Sequence, residues 1–91
     1  MKPLPASVAC YKSTPEFNES SVPAGLLRDH TTAAGVWAKI VVLEGALEYC
    51  IIEPSPERHL LRAGDEGIIE AQMKHHVGVS GPVRFRVDFY R

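Results

Sequence analysis

The sequence predicts an all-β domain built from short strands that close into a sandwich or barrel. Three observations carry this. Seven glycines and seven prolines, spread from Pro3 to Pro82, cut the 91 residues into pieces with little room for a three-turn helix. The pieces between them are rich in Val, Ile, Leu, Tyr and Phe, residues that suit a pleated, half-buried surface. The last piece alternates cleanly: Val83, Phe85, Val87 and Phe89 share one face, and Arg84, Arg86, Asp88 and Tyr90 share the other.

In chain order the expected strands are Val8–Ser13, Gly25–Thr31, Val36–Leu43, Leu47–Glu53, His59–Arg62, Gly67–Ala71, His75–Ser80 and Val83–Tyr90. Residues Thr14 to Val22 read as a polar connector. Val36–Leu43 is apolar on both faces apart from Lys39, which marks a central strand covered on both sides. In so short a chain the second cover is expected to be another copy, giving a homodimer. Leu43-Glu44-Gly45-Ala46 reads as the tight turn of a hairpin, since glycine takes positive φ at little cost. Glu53-Pro54-Ser55-Pro56-Glu57 reads as a rigid exposed loop.

Length sets the expectation of a single domain over residues 1–91. Net charge is −1 with both signs interspersed. No block of basic residues is available to neutralise phosphates, so nucleic acid is not an expected partner. Arg84, Arg86 and Arg91 come nearest to a basic patch and read as a solvated sheet face. No apolar run reaches membrane-spanning length, and the first residues lack a signal-peptide pattern. The expectation is a cytoplasmic protein without a membrane partner, whose Cys10 and Cys50 are reduced packing residues.

The run Val42-Leu43-Glu44-Gly45, then Gly64-Asp65, then His75 eleven positions after Gly64, resembles the cupin superfamily. The resemblance implies a double-stranded β-helix, a jelly-roll barrel whose second motif ends in a histidine facing the pocket. The proline usual in that motif's turn is absent. A narrower resemblance runs from about Tyr11 to Tyr90, to the small cupin-like domain of tellurite-resistance proteins (TehB/YeaR-like) in its stand-alone form. It rests on Ser13-Thr14-Pro15-Glu16-Phe17, Pro23-Ala24-Gly25-Leu26-Leu27-Arg28-Asp29-His30, Gly35-Val36-Trp37, Leu43-Glu44-Gly45-Ala46-Leu47-Glu48-Tyr49, Gly64-Asp65, His75 and Val87-Asp88-Phe89. Some members of that group carry a following methyltransferase that uses S-adenosylmethionine. This sequence has no Gly-rich strand-to-helix loop for such a cofactor, so that activity is not carried over.

The residues that could carry chemistry are few. Metal-dependent cupins usually present His-x-His and a carboxylate, and the His-x-His is missing here. His30 and His75 remain as imidazoles able to ligate Zn or Fe. His75 alternates with Val77 and Val79, so it is expected on the core face with His76 pointing out. Two readings stand side by side. In one, His30 and His75 converge in the pocket and bind a metal with help from a carboxylate or water. In the other, each is a buried histidine bonded to a backbone carbonyl or an acidic neighbour.

Arg28 is a candidate anchor for an anionic ligand, or a surface ion-pair partner. Trp37 is a candidate for stacking on a ligand, or for packing in the core or at a subunit interface. Asp88 is expected to pair with an arginine or meet a second subunit, and His59 to lie on the surface. Neither a nucleophile elbow nor a Cys–His pair is present, and no residue is assigned a catalytic role. The expected function is a small cupin-like binding module for a small ligand or a metal ion. A link to tellurite, oxyanion or other stress is implied by the resemblance alone. The alternatives are a metal-dependent enzyme of oxygenase or isomerase type, and a structural dimerisation module.

Overall fold

The computed structural model describes residues 1–91 and contains seven strands. They are β1 (Cys10–Ser13), β2 (Phe17–Asn18), β3 (Trp37–Ile51), β4 (Glu57–Arg62), β5 (Glu66–Ile69), β6 (His75–Gly78) and β7 (Val83–Tyr90). All pairings are antiparallel. In one sheet β3 lies between β7 and β5, while β1 and β2 pair in turn along the far edge of β7. In the other sheet β3 lies between β4 and β6. The molecule is thus all-β, with a Cα radius of gyration of 12.1 Å, near the ~12 Å that one compact unit of this length should have.

Strand β3 is the organising element. Its first half, Trp37 to Val42, belongs to the first sheet, and its second half, Ala46 to Ile51, to the second. The expected hairpin turn at Leu43–Ala46 is therefore not a turn. The chain continues as strand and changes sheets there, with a register shift between Val42 and Glu44 and Gly45 at φ 73°. Gly45 takes the positive φ expected of it, but it serves a corner between packed sheets. A Cβ at Gly45 would collide with the Pro82 carbonyl.

The first half of β3 keeps its two-sided character. Ala38, Ile40 and Val42 are buried in the core, while Trp37, Lys39 and Val41 are half-buried on the outer face. Along β7, Val83, Phe85 and Val87 are buried and Phe89 packs against the same core, as the alternation requires. Thirteen buried residues form one cluster, with Tyr49, Phe85, Ile40 and Leu47 fully enclosed. Each large side chain so enclosed contributes roughly 1.5–3 kcal/mol.

Two local expectations are corrected. Gly25–Thr31 is not a strand. Ala24–Leu27 forms a single 3-10 turn, entered from the extended Pro23 and closed by Leu26 N–H donating to the Pro23 carbonyl at 3.0 Å. Only His30 reaches sheet pairing, as an isolated bridge to His75. The Thr14–Val22 connector also holds structure, because β2 pairs with β7 and Phe17 meets Phe85 with ring centroids 5.6 Å apart. Between β1 and β2, Thr14 keeps the ladder whole. Its N–H donates to the Val87 carbonyl and its hydroxyl accepts from Val87 N–H, both at 2.9 Å.

The arginines do not form a free basic patch. Arg84 pairs with Glu16 and Glu44, Arg86 pairs with Asp88, and Arg91 stacks on Tyr11 at 4.0 Å. Asp88 is buried on the outer face, held by the Ser13 hydroxyl at 2.7 Å and Arg86 Nε at 3.0 Å. Both cysteines are free thiols. Cys50 is buried, but Cys10 is exposed, so it is not the packing residue expected. No helix is long and apolar enough to cross a membrane.

Candidate functional site

The two candidate ligand histidines meet. His30 and His75 face each other across the isolated bridge and exchange both backbone hydrogen bonds, at 2.9 and 3.0 Å. Opposed residues of an antiparallel pair carry their side chains on the same face. The two rings accordingly lie with centroids 4.1 Å apart at an interplanar angle of 57°. His75 also packs edge-on to Tyr49 at 6.1 Å. His76, the next residue, points away and bonds Asp29 at 2.8 Å, as the alternation predicts.

Each ring is fixed by its own chain. His30 Nδ1 lies 2.8 Å from the Arg28 carbonyl and His75 Nδ1 lies 2.8 Å from the Met73 carbonyl. A carbonyl can only accept, so each Nδ1 carries the proton, and in the neutral ring Nε2 is left with a bare lone pair. No buried side-chain nitrogen or oxygen lacks a partner, and Nε2 of His75 has none within the chain. That atom therefore keeps its contact with the space beside it. Burial pushes the His75 pKa down to about 4, with smaller help from His30 and His76, while the Met73 carbonyl pulls the other way. His75 is thus an uncharged acceptor at neutral pH.

The space beside the pair is a cleft of about 560 Å³ between the inner faces of the two sheets, a size suited to a small organic ligand. Its walls include His30 and His75 with Phe17, Leu26, Val36, Phe85 and Phe89, and twelve of its twenty residues are hydrophobic. The other two candidates are not brought there. Arg28 is exposed and contributes its carbonyl to His30, and Trp37 stands opposite Tyr90 at the start of β3, outside the lining.

The donor set for a metal stops at two imidazoles. No group of three or more His, Cys, Asp or Glu side chains is placed to hold an ion, whereas a structural zinc site takes four donors. Asp88 lies on the opposite face of its sheet, engaged by Ser13 and Arg86. Sequence reasoning missed Phe17, Leu26 and Lys12 as cleft residues. Phe17 left one signal, as the only aromatic residue in an otherwise polar connector.

Comparison with known proteins agrees with this framework. The family described as the TehB-like domain matches residues 12–87. The uncharacterized protein YeaR of Escherichia coli (strain K12) is 27% identical over 99 residues, covering 99% of this chain and 83% of its own, and YeaR of the O157:H7 strain aligns equally well. Among solved structures, a protein from E. coli (strain K12) superposes with a TM-score of 0.87 at 24% identity, covering 100% of this chain and 97% of its own. TehB from Haemophilus influenzae superposes with a TM-score of 0.82 at 24% identity, over 93% of this chain and 32% of its own.

Proposed function

The chain belongs to the TehB-like domain family, and from that premise we propose that it is a ligand-binding module of the double-stranded β-helix, cupin type. Its site is the cleft between the sheets, with Nε2 of His30 and His75 as the atoms that orient the ligand. One observation supports this above the rest: two imidazoles, each fixed through Nδ1 to the carbonyl two residues before it, stand side by side in the wall of a mostly apolar cleft. Histidines serving only the core would not require the open volume beside them. The aromatic walls would supply affinity by excluding water, and the two nitrogens would supply direction.

A second reading puts a divalent Zn or Fe ion on the same two atoms. It is supported by the carbonyl anchoring of Nδ1, the support that metal-ligating histidines commonly use. The remaining coordination positions would fall to water or to the ligand itself.

Nitrogen-15 NMR of the imidazoles tests both. The protein is titrated with a panel of small apolar and aromatic compounds, and separately with Zn²⁺ and Fe²⁺. The expected result is saturable movement of the His30 and His75 ring nitrogens, with His59 unmoved. His30→Ala should abolish the response. If no compound and no metal moves either ring, the cleft is not a binding site.

A further inference from the structure

The lining of the cleft is distinctive in charge and in hydrogen-bond polarity as well as in shape. None of its twenty lining residues is an aspartate or a glutamate. Its only cationic side chain apart from the histidines is Lys12, exposed on edge strand β1 with Nζ 5.2 Å from the Phe89 ring centroid. Two of its hydroxyls are already engaged in both senses. Thr14 donates to the Pro15 carbonyl and accepts from Val87 N–H, and Thr32 donates to the Glu70 carbonyl and accepts from Gln72 N–H. The buried wall therefore offers a ligand the two Nε2 lone pairs, while the exposed rim offers one positive charge and the hydroxyls of Tyr11 and Thr31.

That pattern disfavours several occupants. A group that only accepts hydrogen bonds would meet lone pair with lone pair in apolar surroundings, and that desolvated repulsion is costly. A divalent cation would find no carboxylate. A compact multiply charged anion would find one lysine and a wall of hydrocarbon. A molecule with an apolar, flat body suits Phe17 and Phe89, whose rings are half-buried and favour stacked or edge-on aromatic neighbours.

Resting on the ligand-binding reading above, we propose that the cleft takes a small aromatic monoanion carrying an O–H or N–H donor at the end away from its acid group. The donor bonds Nε2 of His30 or His75, the ring fills the aromatic wall, and the carboxylate or equivalent acid lies at the rim against Lys12.

The test is calorimetry and imidazole NMR with a matched set of probes. The leads are 4-hydroxybenzoate and its longer homologue 3-(4-hydroxyphenyl)propanoate. The controls are benzoate, which lacks the donor, 4-methoxybenzoate, which can only accept, and phenol, which lacks the charge. A lead should bind at least about tenfold more tightly than benzoate or 4-methoxybenzoate, as expected for an unpaired buried acceptor. Lys12 is exposed, so Lys12→Gln should fold normally. It should weaken the lead about three- to tenfold, remove its salt dependence and leave phenol unchanged.

Equal binding of the hydroxy and methoxy acids, or no effect of Lys12→Gln on the lead, overturns the proposal. If neutral apolar compounds move His30 and His75 while the hydroxy acids do not, the ligand class is wrong and the binding site stands. If Zn²⁺ alone moves them at stoichiometric concentration, the metal reading replaces this one. If nothing moves them, the site and its ligand class fall together.

Discussion

Stability should depend on pH through His75 in a defined window. The group titrates near 4 in the folded protein and near 6.5 when unfolded. The folded state therefore refuses a proton that the unfolded chain accepts between these values. Where the unfolded state binds more protons, stability rises with pH. The contribution is complete above about pH 6.5 and is lost progressively as pH falls towards 4. Its full size is roughly 3 kcal/mol, from about 1.4 kcal/mol per pKa unit. Between pH 7 and pH 5 the loss should be about 2 kcal/mol, which at a urea slope near 1–2 kcal/mol/M moves the midpoint down by about 1–2 M.

The groups that face His75 are His30 across the bridge, His76 beside it on β6, Asp29 beyond His76, and the Tyr49 ring. All are retained in a His75→Asn variant, so comparing the two proteins' pH profiles isolates the one imidazole. Staying above pH 5 keeps the carboxylates out of the comparison. Urea denaturation at pH 7, 6 and 5 is the assay. The variant's profile should be flatter than the parent's by about 2 kcal/mol across that range. A difference below about 0.5 kcal/mol would mean that His75 takes a proton freely in the folded state, and the account of a buried, uncharged acceptor would be wrong.

Gly45→Ala should lower stability by at least about 2 kcal/mol, combining a positive-φ penalty with displacement of the Pro82 carbonyl; calorimetry should show a melting temperature lower by about 8–16 °C. Tyr49→Phe removes the 2.7 Å hydrogen bond to the Ile68 carbonyl inside the core and should cost about 1–2 kcal/mol in urea denaturation with the fold unchanged. For Asp88, burial raises the carboxyl pKa, but the Ser13 and Arg86 hydrogen bonds outweigh it and hold the group below its ordinary value. Its stabilising effect is therefore present at neutral pH and lost as pH falls through the acid range. Asp88→Asn should cost about 1 kcal/mol at pH 7 and nothing measurable near pH 2.

What the sequence revealed follows physical range. Periodicity is local, so the inner face of β7 and the opposite aims of His75 and His76 could be read from neighbours two residues apart. The glycine code at position 45 was legible as positive φ. A lone residue cannot say whether the chain then reverses or bends on into a second sheet, because that depends on β4 and β6 arriving from downstream. Leu26, Arg28 and His30 alternate like a strand, yet Ala24–Leu27 makes no sheet pairing and only His30 bridges to β6. His30 and His75 were both singled out by residue type. Their encounter, and the cleft that Phe17 and Lys12 share with them, belongs to contacts across the whole chain and leaves no mark in local spacing.

The sharing of β3 between the sheets limits how a ligand could enter. Two separate sheets could swing apart like the valves of a shell, but here a single fifteen-residue strand runs through both. Spreading them would have to deform the backbone at Gly45, where Pro82 already sits against the bend. The joint is thus a fixed spine, and entry falls to the short elements that close the cleft. Among these are the two-residue strand β2, the shortest of the fold, and the single 3-10 turn Ala24–Leu27, which contribute Phe17 and Leu26 to the cleft wall. Brief local unfolding there would admit a guest without disturbing the core. The hydrogen-exchange consequence is specific: amides of Phe17–Asn18 and Leu26 should exchange fastest in the free protein and slow most when the cleft is filled.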